Sequence, residues 1–484
     1  MTTLHQKTIS AAKWSALDVF MRQGVQFLVS LVLTRILAPE DFGVVAMLTL
    51  FIGVAGVFID SGFSSALIQR QNITRIDEST VFFFKVGVGA VAALLLCAVA
   101  HWIALFFKQS VLQPLTYVMA FNLFVNACSS THSTLLIKDM NFKVMAKIGA
   151  VISVVAGALA LYMANQGYGV WSLAGHSVAA SIITLATLWL WHPWRPVWAF
   201  SFISLRSFFR FGGYEMAAAL ADVLSTNLYL ILIGKLHSAR DVGLYDRAQR
   251  TQQLPISLMM GIINRVAYSV FSTVSEDKAR LVRGLRQAQA ISMFVNMPVL
   301  VAIIILAEPL VLVLFGAQWL PCVPILQVLG LGGLLWPLHV LNLNILKAQG
   351  RSDVYFWLTI TKKIFAISLT VGASFYGVMA IAWMQVLISV LAYFANTHFT
   401  KAMLGYGGWK QLSDLAVNFV AVVPMAIAIY FAMGMMQASP SIVLILASIV
   451  GGMTYLLTCR LLCVELLNEC LVLSGILTRS EKSQ

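Results

Sequence analysis

Apolar runs of about 20 residues follow one another along almost the entire chain, separated by short polar stretches. A run of this length can cross the hydrocarbon core of a bilayer as a helix. The short alternating segments that are typical of membrane β-barrels do not occur in the sequence. The pattern therefore predicts an all-α integral membrane protein with about 14 transmembrane helices. The predicted spans are 12–37, 42–68, 80–106, 113–136, 145–165, 169–192, 211–235, 243–273, 287–308, 324–347, 354–375, 377–400, 413–435 and 441–464.

The composition supports a membrane protein over a soluble one. Of the 484 residues, 60% are hydrophobic and 11% are charged, and the mean hydropathy is +0.86. The net charge of +13 comes from basic residues spread over short loops, so membrane topology explains it better than nucleic-acid binding. The six cysteines are scattered without a Cys-x-x-Cys pair, which predicts neither a disulfide framework nor a metal site. The start of the chain lacks a small-residue cleavage site, so we expect the first span to be retained.

The distribution of the 32 lysines and arginines predicts the orientation. When both termini are placed on one side, that side receives 24 of these residues, and the opposite loops and span interiors hold eight. Because basic loops tend to stay in the cytoplasm, both termini are expected on the cytoplasmic side of a bacterial inner membrane. Termini on one side also require an even number of spans, which favours fourteen or twelve.

An internal repeat divides the predicted helices into two sets. Arg35–Gly43 aligns with Lys235–Gly243 at an offset of 200 residues, and in both segments an Asp and a Gly open the next span. Because an even number of spans separates the copies, the halves run parallel and relate by a pseudo-two-fold axis along the membrane normal. This predicts an N-lobe of spans 1–6 (1–192), a cytoplasmic interfacial linker (193–210), a C-lobe of spans 7–12 (211–400), and C-terminal helices 13–14 with a tail (401–484).

Predicted span 8 carries several arginines within an otherwise apolar helix. At about 100° per residue, Arg247 and Arg265 point the same way, and Arg250 lies within about 60° of them. An arginine that faces lipid costs several kcal/mol, so such residues normally face a bundle interior or a wet cavity. We therefore predict substrate-binding roles for these three residues and for Asn264 and Gln253. Arg247 and Arg250 also lie near enough to the interface to snorkel, which is less comfortable for Arg265.

Other charged residues fall within predicted spans 1, 2 and 7. Asp18 and Arg22 lie one turn apart on span 1, and Arg22 is a further candidate for substrate binding. Asp60 precedes Ser-Gly near one end of span 2, where the helix is expected to break. Glu215 and Asp222 are two turns apart on span 7. The four acids are candidates for ion coupling or gating, and a packing or interfacial role explains each of them equally well.

Motifs for enzymatic chemistry are missing from the sequence. It contains neither a Gly-x4-Gly-Lys-Ser/Thr loop nor a His-Glu-x-x-His pair, and no loop is long enough for a catalytic domain. The acidic clusters sit among basic loop residues, as solvated loops do. We therefore expect a protein that is not an enzyme and that needs no cofactor or metal.

Five segments of the chain carry a family resemblance: 8–16 (TISAAKWSA), 62–70 (GFSSALIQR), 135–143 (LLIKDMNFK), 243–248 (GLYDRA) and 319–327 (WLPCVPILQ). They resemble the Wzx-type polysaccharide flippases of the multidrug/oligosaccharidyl-lipid/polysaccharide (MOP) exporter superfamily, and are most similar to the colanic-acid exporter subgroup. The resemblance implies two lobes around a central cavity lined by spans 1, 2, 7 and 8, with the terminal helices flanking a groove for a lipid tail. It also implies cavity arginines on spans 1, 2 and 8; span 2 departs from this pattern because it has no interior arginine before Arg70.

The expected function is translocation of an undecaprenyl-diphosphate-linked oligosaccharide to the outer leaflet for surface polysaccharide biosynthesis. Guanidinium groups suit a diphosphate because their planar forks match its oxygens. The expected partners are this lipid-linked substrate, the bilayer, and a polysaccharide polymerase with its export machinery. Two alternatives remain: a drug/cation antiporter of the same superfamily, which should have an acidic cavity, and a membrane polysaccharide polymerase or glycosyltransferase, which should have a large polar loop.

Overall fold

The computed structural model describes residues 24–70, 72–273 and 277–462, together with 464 and 467, but not the side chains of 211, 258–270, 272, 273 and 352. Within these ranges every regular element is a helix, as the hydropathy pattern predicts. The chain forms two compact units that divide between Gly243 and Leu244.

The first unit consists of helices joined by short turns. In chain order these are α1 (Gly24–Ile36), α2 (Pro39–Asp60), α3 (Phe63–Gln69), α4 (Arg75–Phe107), α5 (Leu112–Lys138), α6 (Phe142–Asn165), α7 (Val170–Trp191) and α8 (Phe202–Leu236).

Helix α9 (Ala239–Thr273) begins at the end of the first unit and continues into the second. The second unit also contains a 3-10 helix (Ala317–Cys322). Its α-helices are α10 (Lys278–Ile305), α11 (Ala307–Leu314), α12 (Val323–Gly333), α13 (Trp336–Ala348), α14 (Ser352–Ser374), α15 (Val378–Leu404), α16 (Gly408–Asp414), α17 (Ala416–Met435) and α18 (Pro440–Leu462).

Eleven helical stretches of the described chain are long and apolar enough to cross a membrane. Helices α5 and α9 also have spanning length but are more polar, because α5 contains the run NACSSTHST and α9 contains several arginines. Large apolar side chains on α4, such as Leu94, Leu95 and Trp102, are exposed on the surface of the protein. A surface of this kind is stable only against lipid or another apolar partner. The protein is therefore an integral membrane protein, and the number of fourteen spans stays a prediction.

The second predicted span is broken where the sequence places Asp60 before Ser-Gly. Helix α2 ends at Asp60, Ser61 and Gly62 adopt left-handed backbone conformations (φ 47° and 70°), and α3 continues from Phe63. The break lies against α8, because a Cβ on Gly62 would meet Gly212 Cα at 2.7 Å. Two backbones can approach this closely only where neither residue has a side chain. Gly62 thus permits the break in the helix, and Gly212 permits α8 to pack against it.

Residues 193–201 form a non-helical segment that is tied to the first turns of α4. Helix α8 begins directly after it, where the Ser201 hydroxyl accepts a hydrogen bond from the Ser204 N–H (3.2 Å). The predicted linker 193–210 is therefore non-helical only as far as residue 201. The hydrogen bonds to α4 run from Trp194 Nε1 to Glu78 Oε2 (2.6 Å), from Val197 N to Ser79 Oγ (2.9 Å), and from Ser201 N to Thr80 Oγ1 (3.1 Å).

The repeated segments meet each other at the starts of α2 and α9. A Cβ on Gly43 would lie 1.7 Å from Ala239 O, and a Cβ on Gly243 would lie 2.0 Å from Pro39 O. Residues 39 and 239, and residues 43 and 243, are equivalent under the 200-residue offset, so the crossing is reciprocal. The offset also relates Glu40 to Arg240, which form an exposed ion pair at 3.6 Å. The repeat in the sequence is thus a pair of helix starts in direct backbone contact.

Candidate functional site

An enclosed ion pair links α2 and α4 within the first unit. The Lys85 ammonium is fully buried and lies 2.8 Å from Asp60 Oδ1, while the Asp60 side chain is 42% exposed. The ammonium also donates to Ser64 Oγ (2.7 Å) and Ser130 Oγ (3.1 Å), so each of its three donors has an acceptor. A buried ammonium without such partners would cost several kcal/mol. Lys85 is therefore held in place, and the carboxylate of Asp60 is the accessible member of the pair.

Lys85 and Lys362 are among the 24 basic residues that the charge distribution places on the cytoplasmic side, and both lie inside helices, α4 and α14. The side of the membrane on which they lie stays a prediction. The apolar neighbours of Lys85 in the run VFFFKVGVGAV were a usable signal of its burial. Its three partners lie 21 to 45 residues away along the chain, so no local pattern could identify them.

A second group of polar contacts joins α3 to α8 in the first unit. The Ser65 hydroxyl donates to Glu215 Oε1 (2.7 Å), which fixes one exposed carboxylate on α8. At the end of α3, Arg70 donates to the hydroxyl and the carbonyl of Ser207 (both 2.9 Å). Asp222, two turns beyond Glu215, has an exposed side chain. Glu215 and Asp222 are thus surface carboxylates of α8, whereas Asp60 is paired with the buried Lys85 ammonium. Ion coupling or gating by any of the three stays a prediction.

The start of α9 in the second unit holds three charged residues within two turns. Arg247 is 8% exposed, and its guanidinium carbon lies 5.2 Å from the ring centroid of Phe315 and 5.4 Å from that of Trp319. A guanidinium packed on two aromatic faces gains cation–π energy. One turn on, Arg250 Nε lies 2.6 Å from Asp246 Oδ2, and the Arg250 side chain is 59% exposed. Arg247 is therefore packed inside its unit, whereas Arg250 is available at the surface; substrate binding by either stays a prediction.

Of the remaining predicted site residues, the structure describes the side chain of Gln253 alone. Gln253 is exposed on α9. Asp18 and Arg22 lie outside the described residues, and so do the side chains of Asn264 and Arg265.

A partly buried polar network in the second unit was not predicted from the sequence. Lys362 on α14 donates to Asn396 Oδ1 on α15 (2.5 Å), and the Asn396 amide nitrogen lies 3.3 Å from His339 Nδ1 on α13. His339 Nε2 lies 3.1 Å from Ser389 Oγ, which itself donates to Gly332 O (3.0 Å). Because the Ser389 proton is engaged by that carbonyl, His339 donates from Nε2 and accepts at Nδ1. This arrangement requires a neutral imidazole.

Charged side chains inside the helices are the chemical groups that the described residues offer. No group of three or more His, Cys, Asp or Glu residues in the described part is arranged to hold a metal ion. Asp60 and Arg250 each belong to an ion pair, and their side chains are 42% and 59% exposed. Such groups can bind and release polar ligands at membrane depth.

The sequence matches the family described as "Polysaccharide biosynthesis protein" over residues 32–324, which is more than half of the chain. It is 24% identical over 397 residues to the teichuronic acid biosynthesis protein TuaB of Bacillus subtilis, covering 81% of this chain and 82% of the relative. It is 25% identical over 440 residues to the lipopolysaccharide biosynthesis protein WzxC of Escherichia coli, covering 88% of both chains. The succinoglycan biosynthesis transport protein ExoT of Rhizobium meliloti is also 25% identical, over 396 residues, covering 80% of this chain and 79% of that protein.

Solved structures share the fold at low sequence identity. A structure of the lipid II flippase MurJ in an inward closed conformation superimposes with a TM-score of 0.74 and 13% identity, covering 94% of this chain and 100% of that one. An inward-facing multidrug resistance MATE family transporter of the MOP superfamily gives a TM-score of 0.63 and 16% identity, covering 82% and 98%. The chain therefore shares the fold of these two transporters. The match over residues 32–324 establishes that the chain belongs to the polysaccharide biosynthesis protein family.

Proposed function

We propose that this protein is a flippase that carries an undecaprenyl-diphosphate-linked oligosaccharide from the cytoplasmic to the outer leaflet for surface polysaccharide biosynthesis. The observation that carries the proposal is the combination of family and fold. The family is that of polysaccharide biosynthesis proteins, and a lipid II flippase shares the fold over 94% of this chain. Relatives named for teichuronic acid, lipopolysaccharide and succinoglycan biosynthesis support a glycan as the cargo.

The diphosphate is the part of this substrate that the charged helices recognise. The Arg250 side chain on α9 is 59% exposed, and we assign it with Arg22, Arg247 and Arg265 to a cationic path for the diphosphate. Guanidinium forks bind phosphate oxygens in pairs and stay charged at every physiological pH. With the inside of the cell negative, outward movement of an anion is favoured by about 2.3 kcal/mol per charge per 100 mV. Asn264 and Gln253 supply amide groups for sugar hydroxyls on the same helix.

The Asp60–Lys85 pair is our proposed coupling site. The pair is neutral overall, and its ammonium keeps two hydroxyl partners, Ser64 and Ser130, when the carboxylate leaves. Protonation or cation binding at Asp60 would weaken its attraction to Lys85 and add one positive charge inside the unit. Glu215 and Asp222 on α8, and Asp18 on the first span, are proposed gating carboxylates. This coupling would let an ion gradient change the affinity for an anionic substrate.

The flippase would act as two lobes in the inner membrane, together with the enzymes that use its product. Two lobes, 1–192 and 211–400, would alternate access around the cavity while helices in 401–484 accommodate the lipid tail. Both termini would lie in the cytoplasm of the inner membrane. The oligosaccharide, once flipped, would pass to a polysaccharide polymerase and the export machinery.

A vesicle assay tests the flippase. The purified full-length protein is reconstituted with a fluorescent undecaprenyl-diphosphate oligosaccharide, and a membrane-impermeant quencher reports the fraction in the outer leaflet. We expect Arg250→Ala and Arg265→Ala to slow flipping at least tenfold, because each removes a diphosphate contact. Arg351→Ala is the matched control, since Arg351 is exposed and paired with Asp353 (3.1 Å) outside the predicted path. Full activity of both alanine variants would refute the cationic path.

The same vesicles separate the competing functions. Export of a cationic drug without movement of the lipid-linked sugar would indicate an antiporter, for which the MATE fold alone provides a precedent. Chain lengthening of the oligosaccharide would indicate a polymerase. Ion coupling is tested with the neutral double variant Asp60→Asn/Lys85→Met. This variant should still flip the lipid-linked oligosaccharide, but an imposed ion gradient should no longer raise its flipping rate. An unchanged increase of the rate would exclude this pair as the coupling site.

A further inference from the structure

A cavity of about 350 Å³ opens at one end of the first unit, where α4 and α6 begin and α5 and α7 end. This volume lies in the lower part of the range for small-ligand sites, about 300–1,000 Å³. The lining includes two cationic side chains, two carboxylates and two rings: Arg75, Lys138, Glu78, Asp139, His192 and Trp194. The proposed lipid path does not use any of these residues.

One wall of the cavity is held by hydrogen bonds. Trp194 donates from Nε1 to Glu78 Oε2 (2.6 Å) and from its backbone N–H to His192 Nδ1 (3.2 Å). Arg195 donates to the carbonyls of both His192 and Trp194 (2.6 Å each). The Trp194–Glu78 hydrogen bond ties this wall to α4, and the other contacts fix the backbone of residues 192–194.

The charges in the cavity sum to zero. Arg75 and Glu78 lie one turn apart on α4, and Lys138 and Asp139 are consecutive residues at the end of α5. Burial lowers the pKa of His192, and its Nδ1 accepts a hydrogen bond, so the ring is neutral with its proton on Nε2. None of the ion pairs within the described ranges includes Arg75, Lys138 or Asp139. A lining with two positive and two negative groups disfavours a simple anion and suits a ligand that carries both signs.

The surroundings of the cavity indicate a lipid. Trp191, which lines the cavity at the end of α7, is an exposed apolar side chain, and three residues that directly follow lining residues in the chain, Ile76, Ile137 and Met140, are exposed as well. Tryptophan is enriched where the hydrocarbon of a bilayer meets its headgroups. A ligand held here would therefore place a charged headgroup inside the cavity and an apolar body against the rim.

We propose that this cavity binds the headgroup of phosphatidylethanolamine. The phosphate lies between Arg75 and Lys138, with the His192 Nε2–H as an additional donor. The primary ammonium lies between Glu78 and Asp139, to which it can donate three hydrogen bonds. A choline headgroup fits the charges but has no N–H to donate, and a glycerol headgroup leaves both carboxylates without a cation. The site should therefore discriminate phosphatidylethanolamine from phosphatidylcholine and phosphatidylglycerol.

Native mass spectrometry of the full-length protein in detergent tests this assignment. Phosphatidylethanolamine, phosphatidylcholine and phosphatidylglycerol with identical chains are titrated separately, and free phosphoethanolamine is the soluble probe. We expect phosphatidylethanolamine to bind at least fivefold more tightly than the other two lipids. Equal binding of all three, or tighter binding of phosphatidylglycerol, would overturn the proposal. Free phosphoethanolamine binding as tightly as the lipid would overturn the membrane as the source of the ligand.

Variants locate the binding within the cavity. Arg75→Gln/Lys138→Gln should remove the preference for phosphatidylethanolamine, whereas Lys108→Gln at the other end of α4 should preserve it. Glu78→Gln retains an acceptor for Trp194 Nε1 but removes one carboxylate, and it should reduce the discrimination against phosphatidylcholine. This second variant keeps the test decisive if the double variant does not fold. Unchanged lipid preference in Glu78→Gln or in a folded double variant would place the lipid elsewhere.

Discussion

The reciprocal crossing of α2 and α9 gives the sharpest prediction about the packing of this protein. Gly43 and Gly243 sit at the crossing, and each would place a Cβ into the backbone of the other helix. Backbones this close leave no room for a side chain at either position. A substitution at either glycine should therefore force the two helix starts apart.

The structure sets the size of the effect for Gly43→Ala. The new Cβ would lie 1.7 Å from Ala239 O, whereas ordinary contact begins at 3.4 Å, so the backbones must part by about 1.7 Å. Overpacking of this kind costs about 1–3 kcal/mol. If the cost falls only on the state in which the two helix starts touch, the population of that state relative to a separated one falls roughly 5-fold to 150-fold.

Cross-linking measures this population. In a background without the six native cysteines, Glu40→Cys and Arg240→Cys replace an exposed pair whose charged atoms lie 3.6 Å apart. A short bifunctional thiol reagent should link the pair rapidly, and Gly43→Ala should slow the linkage at least fivefold. Gly56→Ala on the same helix is the control, because its Cβ would meet nothing within 4 Å. Identical cross-linking rates for the two alanine variants would refute the inferred contact.

Three further predictions concern stability, each measured by thermal unfolding in detergent. Asp60→Asn should lower the free energy of unfolding by about 3–5 kcal/mol, because it leaves the buried Lys85 ammonium without its carboxylate. The double variant Asp60→Asn/Lys85→Met should recover most of this loss. A double variant as unstable as the single one would contradict the pairing. Arg247→Lys should cost about 0.5–2 kcal/mol, since a compact ammonium cannot pack flat on two rings, and an unchanged midpoint would argue against the cation–π contact. Gln411→Leu should lower the free energy of unfolding by about 1–3 kcal/mol, because it leaves the buried amides of Gln289 and Asn342 without this partner. Lys410→Leu, at an exposed position of the same helix α16, should leave the free energy of unfolding nearly unchanged.

Helical structure could be predicted from the sequence because it depends on local pattern. A run of apolar residues long enough to span a bilayer satisfies its own backbone hydrogen bonds only as a helix. The break after Asp60 was equally local, since Gly62 adopts a left-handed backbone conformation at low cost. The start of α8 at Phe202 was missed because its interfacial residues are aromatic and basic, and hydropathy does not separate them from a linker.

The candidate site was harder to predict because its contacts join distant parts of the chain. Periodicity can place Arg247 and Arg250 on one side of a helix, but it cannot tell that rings at 315 and 319 cover the first and leave the second exposed. The burial of Lys85 was not predicted for the same reason: a lysine near the end of a predicted span is ordinarily interfacial. Only the partners on α2 and α5 show that it is internal.

The 200-residue repeat carries more structural information in its glycines and caps than in its basic residues. At the start of α2, Asp41 accepts a hydrogen bond from the Ala38 N–H (3.1 Å), and at the start of α9 Ser238 donates to Asp241 (2.6 Å). Each aspartate helps to fix where its helix begins, at residue 39 or 239. The residue that faces the crossing, Gly43 or Gly243, lies about one turn after that start. Because that residue must lack a side chain, Gly43 is required in one copy and its equivalent in the other. The basic residues that precede the caps can vary between arginine and lysine, because they lie outside the crossing itself.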